Sequence, residues 1–239
     1  MSVNILGKEY DIATTPYLDL SYKSLISLPN SIGSLSNLRE LYLYNNKITS
    51  LTDSIGMLSN LQKLYLQNNN LTNLPESIGS LSNLKELYLS RNNLTSLPES
   101  IGSLSNLQYL DLPYNKLSRL PESIGNLSNL QRLFLGVNKL TSLPESIQSL
   151  SNLEYLYLHD NKLTSLPKSI KIFTKSKDLK LDESSYEINN LSMDCHTLIL
   201  TSIENNVINL PPIITKLYLK SYIDVDMIKI PYGCDIIRF

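Results

Sequence analysis

The sequence predicts an α/β solenoid assembled from one short unit used repeatedly, and three observations predict it. A phrase of 23 residues recurs from Leu38, beginning LRELYLYNNKITSLTDSIGMLSN, continuing LQKLYLQNNNLTNLPESIGSLSN, and ending with LEYLYLHDNKLTSLPKSI at Ile170. Asparagine returns in register at Asn46, Asn69, Asn92, Asn115, Asn138 and Asn161. Within each unit the leucines alternate over LxL and then spread out, as expected of a short strand followed by an irregular return.

Each repeated letter has a physical reason. In a strand, side chains alternate between faces, so Leu41 and Leu43 point inward while Tyr42 and Tyr44 face out. The remaining leucines, with Ile55 and its equivalents, fill the space behind the strand. No single turn buries them alone; stacked turns share one core, and stability is roughly a sum of unit and nearest-neighbour terms. Truncating one such leucine to alanine costs about 2–5 kcal/mol. The recurrent asparagine sits where the chain leaves the strand, and its amide is expected to satisfy backbone groups of its own and adjacent turns. Pro75, Pro98, Pro121, Pro144 and Pro167 fix φ and lack an N–H in the LPESIG return, which suits an irregular outer wall and excludes a second sheet.

The phrase LxxLxLxxNxL resembles the leucine-rich repeat family. Six units match fully from Leu38 to Ile170, and Leu18, Leu20, Leu25, Leu28, Ile32 and Leu35 outline a first unit in which Lys23 replaces the asparagine. The resemblance implies a horseshoe with a concave parallel β-sheet and an irregular, short-helical convex side. The longer text LPxSIGxLSNLxxLxLxxNxLTS is similar to the intracellular Ras-group related repeat proteins of plants, the Ras suppressor family and the Scribble-related scaffolds. That similarity covers residues 18–170. It implies a scaffold for a protein partner, a small GTPase or other signalling complex, but the match lies in the framework, so no partner-binding residues transfer with it. Lys23, Thr52 and the tail depart from the subgroup pattern.

The chain is read as a single solenoid domain over 1–239, with an N-terminal cap at 1–16, regular repeats at 17–170, and degenerate repeats of 19–20 residues plus a cap at 171–239. The degenerate repeats are marked by the pairs Leu179/Leu181, Leu198/Leu200, Leu217/Leu219 and Ile237/Phe239. The closing MIKIPYGCDIIRF is read as the cap of a monomer, against the alternative that its edge pairs with another molecule. The 239 residues carry a net charge of −1, with 42% hydrophobic residues and no Trp. No apolar run approaches the ~18 residues of a membrane span, and the start lacks a basic stretch leading into an apolar core. A cytoplasmic location is therefore expected, with Cys195 and Cys234 as free thiols. Sequons at Asn70, Asn93, Asn126 and Asn190 follow from the repeat text.

Function is sought at positions the framework leaves free. The outward residue between the strand leucines reads Asp19, Tyr42, Tyr65, Tyr88, Asp111, Phe134, Tyr157, Lys180, Ile199 and Tyr218, an aromatic column interrupted by Asp111. The position before the first strand leucine reads Tyr17, Glu40, Lys63, Glu86, Tyr109, Arg132, Tyr155 and Asp178, where Glu40, Lys63 and Glu86 are expected to satisfy one another. Around units four to six, Tyr109, Asp111, Pro113, Tyr114, Arg132, Phe134, Val137, Tyr155 and Tyr157 predict an apolar, aromatic patch suited to binding a protein. Aromatic columns also suit the alternative, a surface or adhesion protein binding host receptors or glycans.

Catalysis is not predicted. His159 and His196 are the two histidines, and no HExxH, GxSxG, P-loop or CxxC spacing organises a nucleophile, metal or cofactor. His159, at the edge of the concave face, is read as a surface or contact residue. Lys168, Lys171, Lys175, Lys177 and Lys180 cluster at the transition but are read as a solvated rim, not a nucleic-acid site.

Overall fold

The computed structural model describes residues 2–163 continuously and then the segments 178–181, 197–200, 208–209, 216–219, 225–230 and 232–238. The chain begins with an antiparallel hairpin of β1 (Ser2–Ile5) and β2 (Lys8–Asp11). Leu6 and Gly7 both take positive φ, 54° and 82°, the tight turn whose twist matches its strands. Ile5 is fully buried and joins the main core, so the hairpin closes the first turn.

Parallel strands follow at a spacing of 23 residues: β3 (Tyr17–Asp19), β4 (Glu40–Tyr42), β5 (Lys63–Tyr65), β6 (Glu86–Tyr88), β7 (Tyr109–Asp111), β8 (Arg132–Phe134) and β9 (Tyr155–Tyr157). The sheet continues through β10 (Asp178–Leu181), β11 (Thr197–Leu200), β13 (Lys216–Leu219) and β15 (Asp235–Arg238), giving eleven strands among the described residues. A small parallel pair, β12 (Ile208–Asn209) with β14 (Ile228–Lys229), lies apart from it.

The tail register corrects one expectation. Leu217 faces Ile236 and Leu219 faces Arg238, so the last apolar pair is not Ile237/Phe239. The spacing from β10 onward is 19 residues throughout, Leu179 to Leu198 to Leu217 to Ile236. Three apolar residues in the run IIRF admit two registers one residue apart, and a slip of one exchanges the faces. Cys234 is a half-buried free thiol, its pKa pushed up by burial and by Asp235. Cys195, His196 and the side chains of the 168–180 lysine cluster lie outside the described residues.

The returns are 3₁₀ turns at Asn30–Ser34, Asp53–Met57, Glu76–Ser80, Glu99–Ser103, Glu122–Asn126 and Glu145–Ser149. Proline precedes five of these six turns with φ between −66° and −72°, already in the extended geometry that enters the turn. Thr52 takes that place once, and its hydroxyl accepts the Ser54 N–H at 3.4 Å. Glycine inside the turns lets successive turns close up: a Cβ on Gly102 would lie 2.4 Å from the Ser123 carbonyl oxygen, and Gly33, Gly56, Gly79 and Gly125 meet Ser54, Ser77, Ser100 and Ser146 in the same way. The inward leucines and isoleucines of the regular units are essentially inaccessible, and they form one continuous core.

Asparagine supplies two ladders. In the inner one, Asn92 Nδ2 donates to the carbonyls of Leu66 at 2.9 Å and Leu89 at 3.0 Å, while its Oδ1 accepts the Leu71 N–H at 3.0 Å. Asn46, Asn69, Asn115, Asn138 and Asn161 bond in the same pattern. Asn46 reaches back to the N–H groups of Lys23 and Leu25. The first unit has no preceding regular turn to serve, so Lys23 leaves no carbonyl stranded.

The outer ladder, unread in the sequence, runs through the Asn of each LSN. Asn60, Asn83, Asn106 and Asn129 donate to the carbonyls of Ser36, Ser59, Ser82 and Ser105, each at 2.8 Å. Asn37 and Asn152 close its ends on Ala13 and Ser128.

The two ladders differ in burial, which sets a prediction. Asn92→Ala strands two carbonyls and one N–H away from water and is expected to cost roughly 3–5 kcal/mol. Asn83→Ala opens an exposed contact that water replaces, at about 1 kcal/mol or less. Urea midpoints followed by circular dichroism check the contrast; equal losses would contradict the buried role of Asn92.

Candidate functional site

Parallel pairing sets neighbouring strands about 4.8 Å apart, and that spacing organises the outward tyrosines. Tyr42, Tyr65 and Tyr88 stack face to face with centroids 4.6 Å apart and interplanar angles of 5° and 10°. The Tyr42 hydroxyl donates to Glu40, and the Tyr88 hydroxyl donates to Glu86 at 2.8 Å. Glu86 also pairs with Lys63 at 3.3 Å. The expected mutual satisfaction of Glu40, Lys63 and Glu86 is thus divided: Lys63 and Glu86 form an ion pair, while Glu40 engages a phenol. These contacts raise the phenol pKa values, chiefly by the hydrogen bond to Glu40 for Tyr42 and by burial, then Glu86, for Tyr88.

At Asp111 the aromatic column is not interrupted, as its lane alone predicted; it changes lanes. Tyr88 contacts Tyr109 at 4.8 Å, Tyr109 contacts Phe134 at 5.3 Å, and Phe134 meets Tyr157 edge-on at 4.8 Å. At the other end Tyr42 meets Tyr44 and Tyr44 meets Tyr22. A ribbon of eight rings results, Tyr22, Tyr44, Tyr42, Tyr65, Tyr88, Tyr109, Phe134 and Tyr157. Reading down one column hides it, because the ring that bypasses Asp111 stands two residues earlier on the same strand.

Beyond Tyr88 the rings tilt by 35°, 45° and 81° and cease to cover one another's faces. Tyr109 is pushed up to about 12, first by burial and then by the charge of Asp111, with Arg132 pulling the other way. Burial also raises Asp111, opposed by hydrogen bonds from the Ser90 side chain and backbone. Arg132 lies over the Tyr155 ring at 5.2 Å and Arg91 over the Tyr114 ring at 4.5 Å. Among the described residues, neither guanidinium has a carboxylate within ion-pair distance. The structure therefore gathers Tyr109, Phe134 and Tyr157 in the ribbon with Asp111 beside Tyr109, sets Arg132 with Tyr155 on one flank, and sets Tyr114 with Arg91 on the other.

Arg91 and Gly136 were not among the predicted site residues. Arg91 stands one unit before Tyr114 at the same repeat position, a cation–π relation visible when the residues leaving successive strands are compared. Gly136 makes room for a neighbour: a Cβ there would lie 2.3 Å from His159 Nε2. The His159 ring is accordingly tucked against the sheet with its side chain 18% exposed, and Nδ1 sits 2.7 Å from Asp160 Oδ2.

The residue leaving each strand is left-handed. Tyr22, Asn45, Asn68, Arg91, Tyr114, Val137 and Asp160 all have φ of 55–57°. Asn and Asp tolerate this region, whereas a β-branched residue is strained in it. Val137 sits inside the candidate patch.

On the opposite side of the solenoid a groove of about 570 Å³ runs past Glu76, Pro98, Glu99, Arg119, Pro121 and Glu122. Its carboxylates already serve the turns: Glu76 accepts the Ser100 N–H at 3.1 Å, and Glu99 and Glu122 accept those of Ser123 and Ser146 at 3.4 Å. Among the described residues no group of three His, Cys, Asp or Glu side chains could hold a metal ion, and no helix is long and apolar enough to cross a membrane.

Two outcomes follow from this geometry. Val137→Asn relieves the left-handed strain and is expected to stabilise the fold by about 1 kcal/mol, read as a higher urea midpoint; a lower midpoint would show that Val137 packing outweighs the strain. The tyrosines give an alkaline limit. Their folded pKa values lie above the unfolded value of about 10, so as pH rises from there through about 12 for Tyr109 the unfolded chain releases protons that the folded chain keeps, and stability falls. Urea midpoints at rising alkaline pH should drop across that window, less so for Tyr109→Phe, and a flat profile would contradict the protonated-phenol ribbon.

A leucine-rich repeat region model matches residues 14–96 and 78–198. Among solved structures, a Leptospira interrogans LRR protein is 32% identical over 88% of this chain and 73% of its own, with a TM-score of 0.56. The plant peptide hormone receptor RGFR1, solved in complex with RGF2, is 25% identical over 81% of this chain with a TM-score of 0.57, and the match spans 38% of that receptor chain. No curated protein matches. The repeat spacing, the parallel ladder and the buried asparagines agree with these matches: the chain belongs to the leucine-rich repeat family.

Proposed function

We propose that this chain is a non-catalytic scaffold that holds a protein partner on its concave sheet, centred on units four to six. Leucine-rich repeat proteins are typically non-catalytic and bind protein partners, which supports the general class. The observation that carries the location is a change in character along the ribbon. From Tyr42 to Tyr88 the surface is closed on itself, with rings stacked, two phenols on carboxylates and Lys63 on Glu86. From Tyr109 to Tyr157 the rings tilt apart and Arg132 lacks a carboxylate partner among the described residues. Half-buried aromatic side chains beside an exposed arginine form the energetic centres of protein interfaces.

The stacked half of the ribbon offers little to the glycan-binding alternative. A sugar ring stacks on an open aromatic face, and the faces of Tyr42, Tyr65 and Tyr88 are occupied by one another. Similarity to the Ras-group repeat proteins favours an intracellular signalling partner such as a small GTPase, and the plant receptor among the structural relatives is named for a peptide hormone. Both are consistent with a protein ligand.

Affinity capture from source-cell lysate tests the reading, using the native chain and a Tyr109→Ala, Phe134→Ala, Tyr157→Ala variant whose fold has been verified. A protein retained by the native chain and lost by the variant is the expected result, with each substitution costing roughly 2 kcal/mol at a hot spot. Identical captures would place the partner on another face, and retention on a carbohydrate resin would favour the glycan reading.

A further inference from the structure

We propose that the partner segment seated on units four to six is an acidic, proline-rich stretch in the polyproline II conformation, running along the solenoid axis across β6 to β9. This rests on the concave-face reading above and adds the chemistry and conformation of the ligand.

Two independent observations lead to it. The first is charge. Arg91 and Arg132 are held on aromatic rings on opposite flanks of the patch, without carboxylates among the described residues. Exposed Lys116 and Lys139 stand beyond them on the rim. Towards the other end of the face lie Asp19 and Glu40, and Glu86 on β6 is paired with Lys63. A guanidinium laid on an arene has already lost much of its rotational freedom and keeps its N–H fork for a carboxylate. Within the patch, Asp111 is committed to Ser90 and disfavoured in its charged form by burial. An acidic segment therefore finds complementary charge at units four to six, and a basic one does not.

The second is period. A polyproline II helix repeats every three residues, about 9.3 Å along its axis, and two parallel strands span about 9.5 Å. Such a segment lying across the strands presents the same side chain to every second unit without drifting out of step. An extended strand repeats its side chains at about 6.7 Å, in step with neither one strand nor two, and an α-helix, with a pitch of about 5.4 Å, slips at every turn.

The surface supplies what this conformation needs. Proline rings pack on aromatic side chains, and Tyr109, Phe134 and Tyr157 stand with centroids 5.3 and 4.8 Å apart, no longer stacked flat on each other. The neighbouring lane is low there, passing Ser90, Pro113 and Gly136 before His159 closes it. The carbonyls of a polyproline II segment have no internal partners, and among the described residues the Tyr109 hydroxyl has no acceptor, so it is available to donate to one.

Fluorescence anisotropy with three short labelled peptides tests this: prolines with glutamate at every third position, the same peptide with lysine for glutamate, and the same with alanine for proline, which favours helix. Saturable binding of the first is expected, with the other two at least about tenfold weaker. Arg132→Ala and Phe134→Ala, each confirmed folded by circular dichroism, should each weaken the first peptide by about tenfold or more. The proposal is overturned if the glutamate peptide does not saturate, if the lysine or alanine peptide binds equally well, or if Phe134→Ala leaves binding unchanged. If peptides fail while the triple-alanine variant still loses its captured protein, the concave site stands and the polyproline conformation is wrong. Loss of both removes the site itself.

Discussion

A carbonyl that leaves a strand and turns into an apolar core must find a donor there, and this chain provides one side-chain amide per turn. Each inner asparagine holds a carbonyl of its own turn, a carbonyl of the turn before, and an N–H across the gap. All its hydrogen bonds link backbone segments that no strand or helix would otherwise satisfy. This locks the spacing between turns at the rim of the sheet. The leucines then interdigitate at a fixed distance, and the outward side chains are delivered at about 4.8 Å intervals. The tyrosine stack follows that spacing: Tyr42, Tyr65 and Tyr88, carried at matching positions on successive strands, face one another at 4.6 Å.

The return side obeys a different limit. There the backbones themselves touch, glycine of one turn against a serine carbonyl of the next, with no space for a Cβ between them. The outer asparagines fasten the same region from the solvent side. Gln148 stands where the earlier units have glycine. The last described 3₁₀ turn of the regular series, Glu145–Ser149, contains this residue. Regular stacking on the return side thus depends on a residue without a side chain, just as the strand side depends on one with an amide.

Much of this was legible in the sequence, because each framework letter answers to a local requirement repeated in register. The strand positions, inward leucines, buried asparagines and proline-led returns could be placed from period alone. What could not be placed involves relations between lanes. The outer asparagines look like ordinary polar turn residues until the carbonyl of the preceding turn is seen beside them. Gly136 and His159 stand one unit apart and read as two unremarkable variations; in space one exists to admit the other. The closing strand was misregistered because IIRF offers apolar residues on both faces, and alternation decides a register only when one face is clearly polar. The aromatic ribbon was half visible: its members were identified, but the bend through Tyr109 needs side-chain contacts.

Three positions where units disagree, Asp111, Gly136 and Val137, lie in or beside the candidate patch. Val137 occupies a left-handed site filled by asparagine in two earlier units. Asp111 is a partly desolvated carboxylate between units whose equivalent residues, Tyr88 and Phe134, are rings, and Gly136, just after β8, gives up its side chain to the space of His159. Each choice is unfavourable for the solenoid taken alone, and asparagine at residue 137 or an aromatic at residue 111 was available from another unit. A repeat that copies its framework faithfully yet accepts strain and desolvation in one patch of its sheet is subject to a second constraint at that patch. The framework tolerates this because solenoid stability is distributed over many nearest-neighbour terms. A local deficit of one or two kcal/mol in units four to six is absorbed by the intact ladders on either side, leaving those units free to be shaped by what they hold.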